Sequence, residues 1–352
     1  MKPKLLEIDS LRGIAALVVA FFFHQHYLLG TYRSEPMADW PGLSTLYIHG
    51  WVMVDLFFAI SGFIFAHVYL GTSGMTAKPG EFVRARIARL YPLHLLTLVV
   101  AALVFRIGNP ASVDYATNDA WHFGLNLLML QESGLNAGSS FNLPTWSISV
   151  EVMCYAVFYL VAVRLPRHLT AISAVIAGVA LIATLSSHPG IDHIARGFCG
   201  FFAGVVAYRH RSANPDSIAL VGLIGLGLIL LPAELNLGAI LGLTIFPVLV
   251  IAAPRIAWLR HRALAWLGDR SYSIYLIHAP LYMAVNVIAF SGQPVTTAWT
   301  WPTLLGAWLA VLLLSDASFR WFETPVRRWI IRPPRQTGSA APTGWTAATT
   351  KD

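Results

Sequence analysis

Residues 11–30 read LRGIAALVVAFFFHQHYLLG. From Gly13 to Gly30 the run is almost wholly apolar, and a bilayer core takes about 20 such residues to cross. It lacks a clear small-x-small cleavage site, so it reads as a first transmembrane helix and not as a signal peptide. Nine similar segments follow: 50–70, 90–108, 147–164, 168–186, 194–209, 216–232, 236–253, 272–290 and 301–320. The expected fold is therefore all-α, a polytopic transmembrane helical bundle of about ten spans. The expected domain covers residues 1–332, and the Pro-, Thr-, Ala- and Gly-rich tail 333–352 reads as a disordered cytoplasmic extension.

Composition points the same way. The chain is 56% hydrophobic and 12% charged, where an average soluble domain carries roughly 25% charged residues. The lipid bilayer is its expected solvent. The net charge of +7 does not imply nucleic acid, because it falls on one side of the bundle. With the N-terminus inside, 21 of the 24 Lys and Arg lie inside, and only Arg33, Arg106 and Arg196 lie outside. This asymmetry predicts a multi-pass protein of the cytoplasmic (inner) membrane with both termini cytoplasmic. Pro232-Ala233-Glu234 marks a tight hairpin between the seventh and eighth spans. Trp121–Leu130 is too short to span and reads as interfacial or re-entrant. The long outer loop, 109–146, has the length of a functional segment. Cys154 and Cys199 sit in apolar runs and read as small hydrophobes.

Ionisable groups inside a membrane are costly and usually functional. In the first helix, Arg12 lies near the inner end and His24 and His26 near the outer end. Imidazole suits a general base for a hydroxyl; the plainer reading of His26 is an interfacial cap. Asp55 opens the second helix, as either a helix-end anion or a site group, and Ser61 and Gly62 read as packing residues. Arg86 and Arg89, with Arg84 beside them, are spaced to share a helical face and could fork onto phosphates, or simply anchor the inner end. Glu151 heads an apolar run with no nearby cation, so it needs a tertiary partner or stays protonated. It could orient a His such as His24 or bind an acceptor hydroxyl, and the plainer reading is a structural ion pair. His278, inside the ninth helix, is a satisfied core histidine or a site residue. Glu323-Thr324-Pro325 reads as a helix terminator. No metal cluster, Gly-rich phosphate loop or Gly-x-Ser-x-Gly elbow is found in the sequence.

In this order the motifs resemble the acyltransferase-3 family of membrane O-acyltransferases over about residues 6–330. The matching stretches are Asp9-Ser10-Leu11-Arg12-Gly13 with His24, Val54 to Phe63, Arg86-x-x-Arg89, Trp146-Ser147-Ile148-Ser149-Val150-Glu151, Ser271 to His278, and Glu323-Thr324-Pro325. The resemblance implies transfer of an acyl group, often acetyl, to hydroxyls of extracytoplasmic glycans or glycosylated small molecules. Acetyl-CoA is the implied donor, with no metal. It also implies His24, Arg12 and Glu151 as catalytic and Arg86, Arg89 and Arg84 as donor-binding. Asp55, Trp146, Ser147, Ser149 and His278 would support them. Many relatives carry an extra esterase-like domain, here expected on a separate extracytoplasmic transferase protein. The rival class is a multi-span transporter with an intramembrane proton or anion relay.

One departure bears on geometry. The family has ten residues between the paired Arg and His; this chain has eleven. An offset of twelve turns His24 about 120° from Arg12 on an ideal helix, against about 20° for eleven. His26 would sit about 40° off. A π-bulge would absorb the extra residue.

Overall fold

The structure is a computed structural model, and it describes residues 3–31, 41–72, 74–113, 116–184, 189–230 and 236–331. The Pro232–Glu234 hairpin, the tail 333–352, Arg33 and Asp114 lie outside them. The chain opens with α1 (Leu6–Leu17), a π-helical segment (Val18–Phe23) and α2 (Gln25–Leu29). Next come α3 (Pro41–His49), α4 (Met53–Tyr69) and α5 (Pro79–Ile107). Between α4 and α5 lies a short antiparallel pair, β1 (Leu70–Gly71) and β2 (Gly74–Met75), with Leu70 opposite Met75. The middle of the chain forms α6 (Ala120–Leu127), α7 (Trp146–Arg164), α8 (Leu169–Ala183) and α9 (Pro189–Arg209). The rest is α10 (Pro215–Leu230), α11 (Leu237–Leu243), α12 (Ile245–Ala252), α13 (Arg262–Phe290), α14 (Thr297–Ala317), a second π segment (Ser318–Glu323) and α15 (Thr324–Ile331).

By length and composition, six helical stretches among the described residues can cross a membrane: 42–69, 79–107, 143–164, 237–255, 262–290 and 297–331. Of the ten spans expected, six are met by this measure. The four others expected, 11–30, 168–186, 194–209 and 216–232, do not meet that measure. The first is broken at His24 and carries Arg12 and two histidines. Leu169–Ala183 and Pro215–Leu230 are apolar but short, and α9 carries Asp192 and Arg196 in its first half. The Trp121–Leu130 stretch forms α6, whose first turn is capped by Asp119 Oδ1 accepting from the His122 N–H at 2.8 Å. That cap is the capping chemistry of a helix start; α5 starts likewise, with Pro79 in its first turn and Glu81 reaching back to the Lys78 N–H.

Two seams position the interior. Helix α1 lies along α13, and their backbones touch at Gly13, where a Cβ would come within 2.6 Å of the Gly268 nitrogen. Helices α4 and α9 cross as closely. A Cβ on Gly62 would lie 1.8 Å from the Phe201 carbonyl oxygen, and one on Gly204 would lie 2.1 Å from that of Ala59. Small residues permit this approach in a bilayer, where packing and not the hydrophobic effect joins helices. The packing role expected of Gly62 is therefore found, whereas Ser61 faces inward and binds Glu151.

Overpacking a core costs about 1–3 kcal/mol, and backbone blocks the new methyl groups here. Gly62→Val and Gly204→Val should each lower the melting temperature of the detergent-solubilised protein by several degrees at least, followed by size-exclusion after heating. An unchanged melting curve would contradict the close crossing.

Candidate functional site

The site begins with the widened turn of the first helix. Within Val18–Phe23 the bonding is of the i to i−5 kind, and the His24 N–H donates to the Val19 carbonyl at 2.9 Å. The wider turn shifts the phase of everything beyond it. Arg12 and His24 consequently both meet α13. Arg12 Nε donates to Ser271 Oγ and Nη2 to the Gly268 carbonyl, each at 2.8 Å, with Asp9 at 3.0 Å. Further along, His24 Nδ1 is 2.8 Å from His278 Nε2, and their rings stack at 5.0 Å. The π-helical expectation thus describes this chain, and both groups sit on the face toward α13.

Three cavities lie within the bundle, and the first two share Arg12, Ile64, Arg89 and Tyr272. The first, about 510 Å³, opens at a charged mouth, the basic mouth below, lined by Lys4, Arg12, Arg89 and Arg327 with Asp9, Asp269 and Glu323 among them. Lys4 pairs with Asp9 and Asp269, and Arg12 with Asp9, which leaves Arg89 and Arg327 without an ion pair among the described residues. Glu323 accepts from Ser273 and from Ser318, so the helix-ending motif also borders this mouth. The second, about 80 Å³, continues inward past Arg12, Arg89 and Tyr272, and is lined by Ser61, Ser147, Glu151, Tyr155 and Tyr275. Ser61 donates to Glu151 Oε1 at 2.6 Å. The third, about 350 Å³, opens at the opposite, histidine mouth between His24, His26, Tyr27, Tyr47, Trp146 and His193.

A plug divides the second cavity from the third. Tyr275 lines the middle cavity, and its hydroxyl donates to the Pro144 carbonyl at 2.9 Å and lies within hydrogen-bond distance of Ser147 Oγ, also at 2.9 Å. Phe57 meets its ring edge-on at 5.5 Å. Pro144 itself borders the histidine mouth. Arg12, Arg89, Glu151 and Ser147 therefore share one compartment, and His24 and Trp146 share another.

The remaining sequence candidates divide by environment. Arg86 does not line the three cavities; its guanidinium lies over the rings of Phe65, Tyr69 and Tyr155 at 4.8, 5.4 and 5.8 Å. Its Nε is buried without a partner. Arg84 is half-buried and lines none of the three. Asp55 is fully buried and holds Arg196 in a two-point pair, Nε at 3.1 Å and Nη2 at 2.7 Å. Trp51 and Trp146 cover that guanidinium. Ser149 Oγ accepts from the Glu132 N–H, and His26 Nδ1 donates to the Phe23 carbonyl.

Sequence reasoning missed Tyr275, His193 and Glu132 as site residues. His193 Nδ1 lies 3.0 Å from Glu132 Oε1, with its ring stacked on Trp146 at 4.2 Å. An ionisable group at the head of an apolar helix was the available signal for His193.

Comparison with known proteins places this geometry in a family. A family described as an acyltransferase domain matches residues 5–316. BcsY of Komagataeibacter xylinus, whose name describes a membrane-bound transacylase, is 27% identical over 82% of this chain and 76% of that protein. The peptidoglycan O-acetyltransferase OatA of Listeria monocytogenes is 24% identical over 91% of this chain and 55% of its own length. The acyltransferase MdmB of Streptomyces mycarofaciens is 29% identical over 45% and 40%. The chain thus spans about half the length of the last two relatives or less. No solved structure matches.

The plug makes a prediction. A cysteine at Ser61 should be labelled by an impermeant maleimide from the basic-mouth side only, in paired right-side-out and inverted vesicles. Adding Tyr275→Ala should open labelling from both sides; one-sided labelling after that change would show that Tyr275 does not divide the path.

Proposed function

Because the chain belongs to the acyltransferase-3 family, we propose that it moves an acyl group, acetyl foremost, from cytoplasmic acyl-CoA to a hydroxyl of an extracytoplasmic glycan or glycosylated small molecule. The observation that carries this reading is the order of the cavities. Lysine and arginine gather at one mouth, imidazoles at the other, and the middle cavity runs from the first mouth as far as Tyr275. The Lys and Arg asymmetry supports a cytoplasmic basic mouth, where acyl-CoA is available.

In this proposal Arg12, Arg89 and Arg327 hold the donor's phosphates, since guanidinium forks match phosphate oxygens. Arg86 sits one turn before Arg89, and its aromatic cage keeps its charge close to the passage. The thioester end enters the middle cavity. Glu151 lines that cavity with Arg12 and Arg89, so its proposed role shifts from orienting the imidazole to holding those guanidinia around the donor arm. Tyr275 must move for the thioester to meet an acceptor in the histidine mouth. There His24 takes the hydroxyl proton or carries the acyl group in passing. The apolar walls keep water from the thioester.

Two measurements test the reading. By calorimetry in detergent, the folded protein should bind acetyl-CoA saturably, and Arg89→Ala with Arg86→Ala should weaken that binding by about tenfold or more, or ~1.4 kcal/mol. His24→Ala should keep donor binding and lose acyl transfer in membranes. Failure of the folded wild type to bind acyl-CoA would favour a transporter, and normal transfer by His24→Ala would end the role given to that imidazole.

A further inference from the structure

Three imidazoles line the histidine-mouth cavity. His26 is tied to the Phe23 carbonyl of its own turn, and the other two, His24 and His193, are backed differently. Behind His24, His278 Nδ1 lies 3.1 Å from the Ile274 carbonyl. A carbonyl only accepts, so His278 keeps its proton on Nδ1 and accepts at Nε2. His24 then donates from Nδ1 across the 2.8 Å contact and leaves its Nε2 with a lone pair. Among the described residues no carboxylate hydrogen-bonds either ring.

His193 has a carboxylate instead. Glu132, only 4% exposed, faces His193 Nδ1 at 3.0 Å. The Glu132 backbone N–H is fixed on Ser149 Oγ at 3.2 Å, and the His193 ring lies nearly parallel to Trp146, 16° between planes. Nδ1–H therefore donates to the carboxylate, and the lone pair is on Nε2. The side chain is 29% exposed and lines the same cavity as His24. A proton taken up by His193 would be balanced by the adjoining anion, as in carboxylate–imidazole pairs generally. A proton taken up by His24 would set a cation against a second imidazole with no anion bonded to either.

We propose that this proton goes not to His24, as first assigned above, but to His193, which, backed by Glu132, is the general base for the acceptor hydroxyl, while His24 stays neutral beside the acyl carbon. The inference rests on the acyl-transfer reading. In the step, the acceptor O–H proton passes to His193 Nε2 as the oxygen forms its bond to the acyl carbon. The bond from that carbon to the CoA sulfur breaks, and its electron pair leaves on the thiolate. The proton then leaves His193 for the thiolate or for water at the mouth. Trp146 holds the ring in register, and Ser149 holds the backbone of Glu132.

The test uses cells in which the chromosomal copy is deleted and the full chain, wild type or variant, is restored at equal membrane level. Alkali-released acetate from the cell's glycan fraction is the readout, so the acceptor need not be known beforehand. His193→Ala and His193→Gln should each lose about 10²-fold or more of the restored acetate. Glu132→Gln should lose less, roughly tenfold. Acetyl-CoA binding by the purified variants should match wild type, which separates lost chemistry from lost folding. Imidazole supplied outside should partly restore His193→Ala. Gln fills the space of the ring without its basicity, so a fully active His193→Gln would reduce His193 to a packing residue and overturn the inference alone. Failure of the wild type to restore any acetate would overturn the transfer reading and this inference together.

Discussion

The seam between α1 and α13 governs the interior of this protein. Gly13 and Gly268 bring the two backbones into contact. That approach lets Arg12 reach the Gly268 carbonyl and Ser271, and lets His24 reach His278. Both pairs depend on the π-helical turn at Val18–Phe23. An uninterrupted α-helix would rotate one of them toward lipid or toward apolar neighbours, where an unpaired guanidinium or imidazole is costly. The bonds along the seam compensate for placing a broken, polar helix inside an apolar bundle.

The other buried charges follow the same economy of pairing. Asp55 and Arg196 are bonded at two points and roofed by tryptophan. Arg270 meets Asp316 at 2.6 Å. Against this background the groups that line the cavities stand out. Arg89 forms no ion pair among the described residues, and the Nε2 atoms of His24 and His193 have no hydrogen-bond partner there. Polar atoms left available at two mouths of one passage are what a group-transfer site needs, because donor and acceptor must complete their coordination.

Much of this was legible in the chain. Apolar runs gave the helical membrane bundle, and the twelve-residue offset from Arg12 to His24 pointed to a widened turn as the way to bring His24, and not His26, onto the face of Arg12. The motif order pointed to acyl transfer. The lengths of the helices were less legible, because hydropathy alone does not fix where an apolar helix ends, as at Leu169–Ala183. Partners distant in sequence were not legible at all. Glu132 and His193 are joined across 61 positions, and Tyr275 reaches Pro144 across 131. Neither pairing leaves a periodic trace. Compartments were hidden for the same reason: Glu151 and His24 looked like partners by chemistry, yet Tyr275 stands between their cavities.

The central claim is that one passage receives the donor at its basic mouth and the acceptor at its histidine mouth. A cryo-EM structure with a non-hydrolysable acetyl-CoA analogue tests it most directly. The account predicts phosphate density against Arg12, Arg89 and Arg327, with the acyl end beside Tyr275. Nucleotide density in the histidine mouth, or on the lipid-facing surface with both mouths empty, would contradict it.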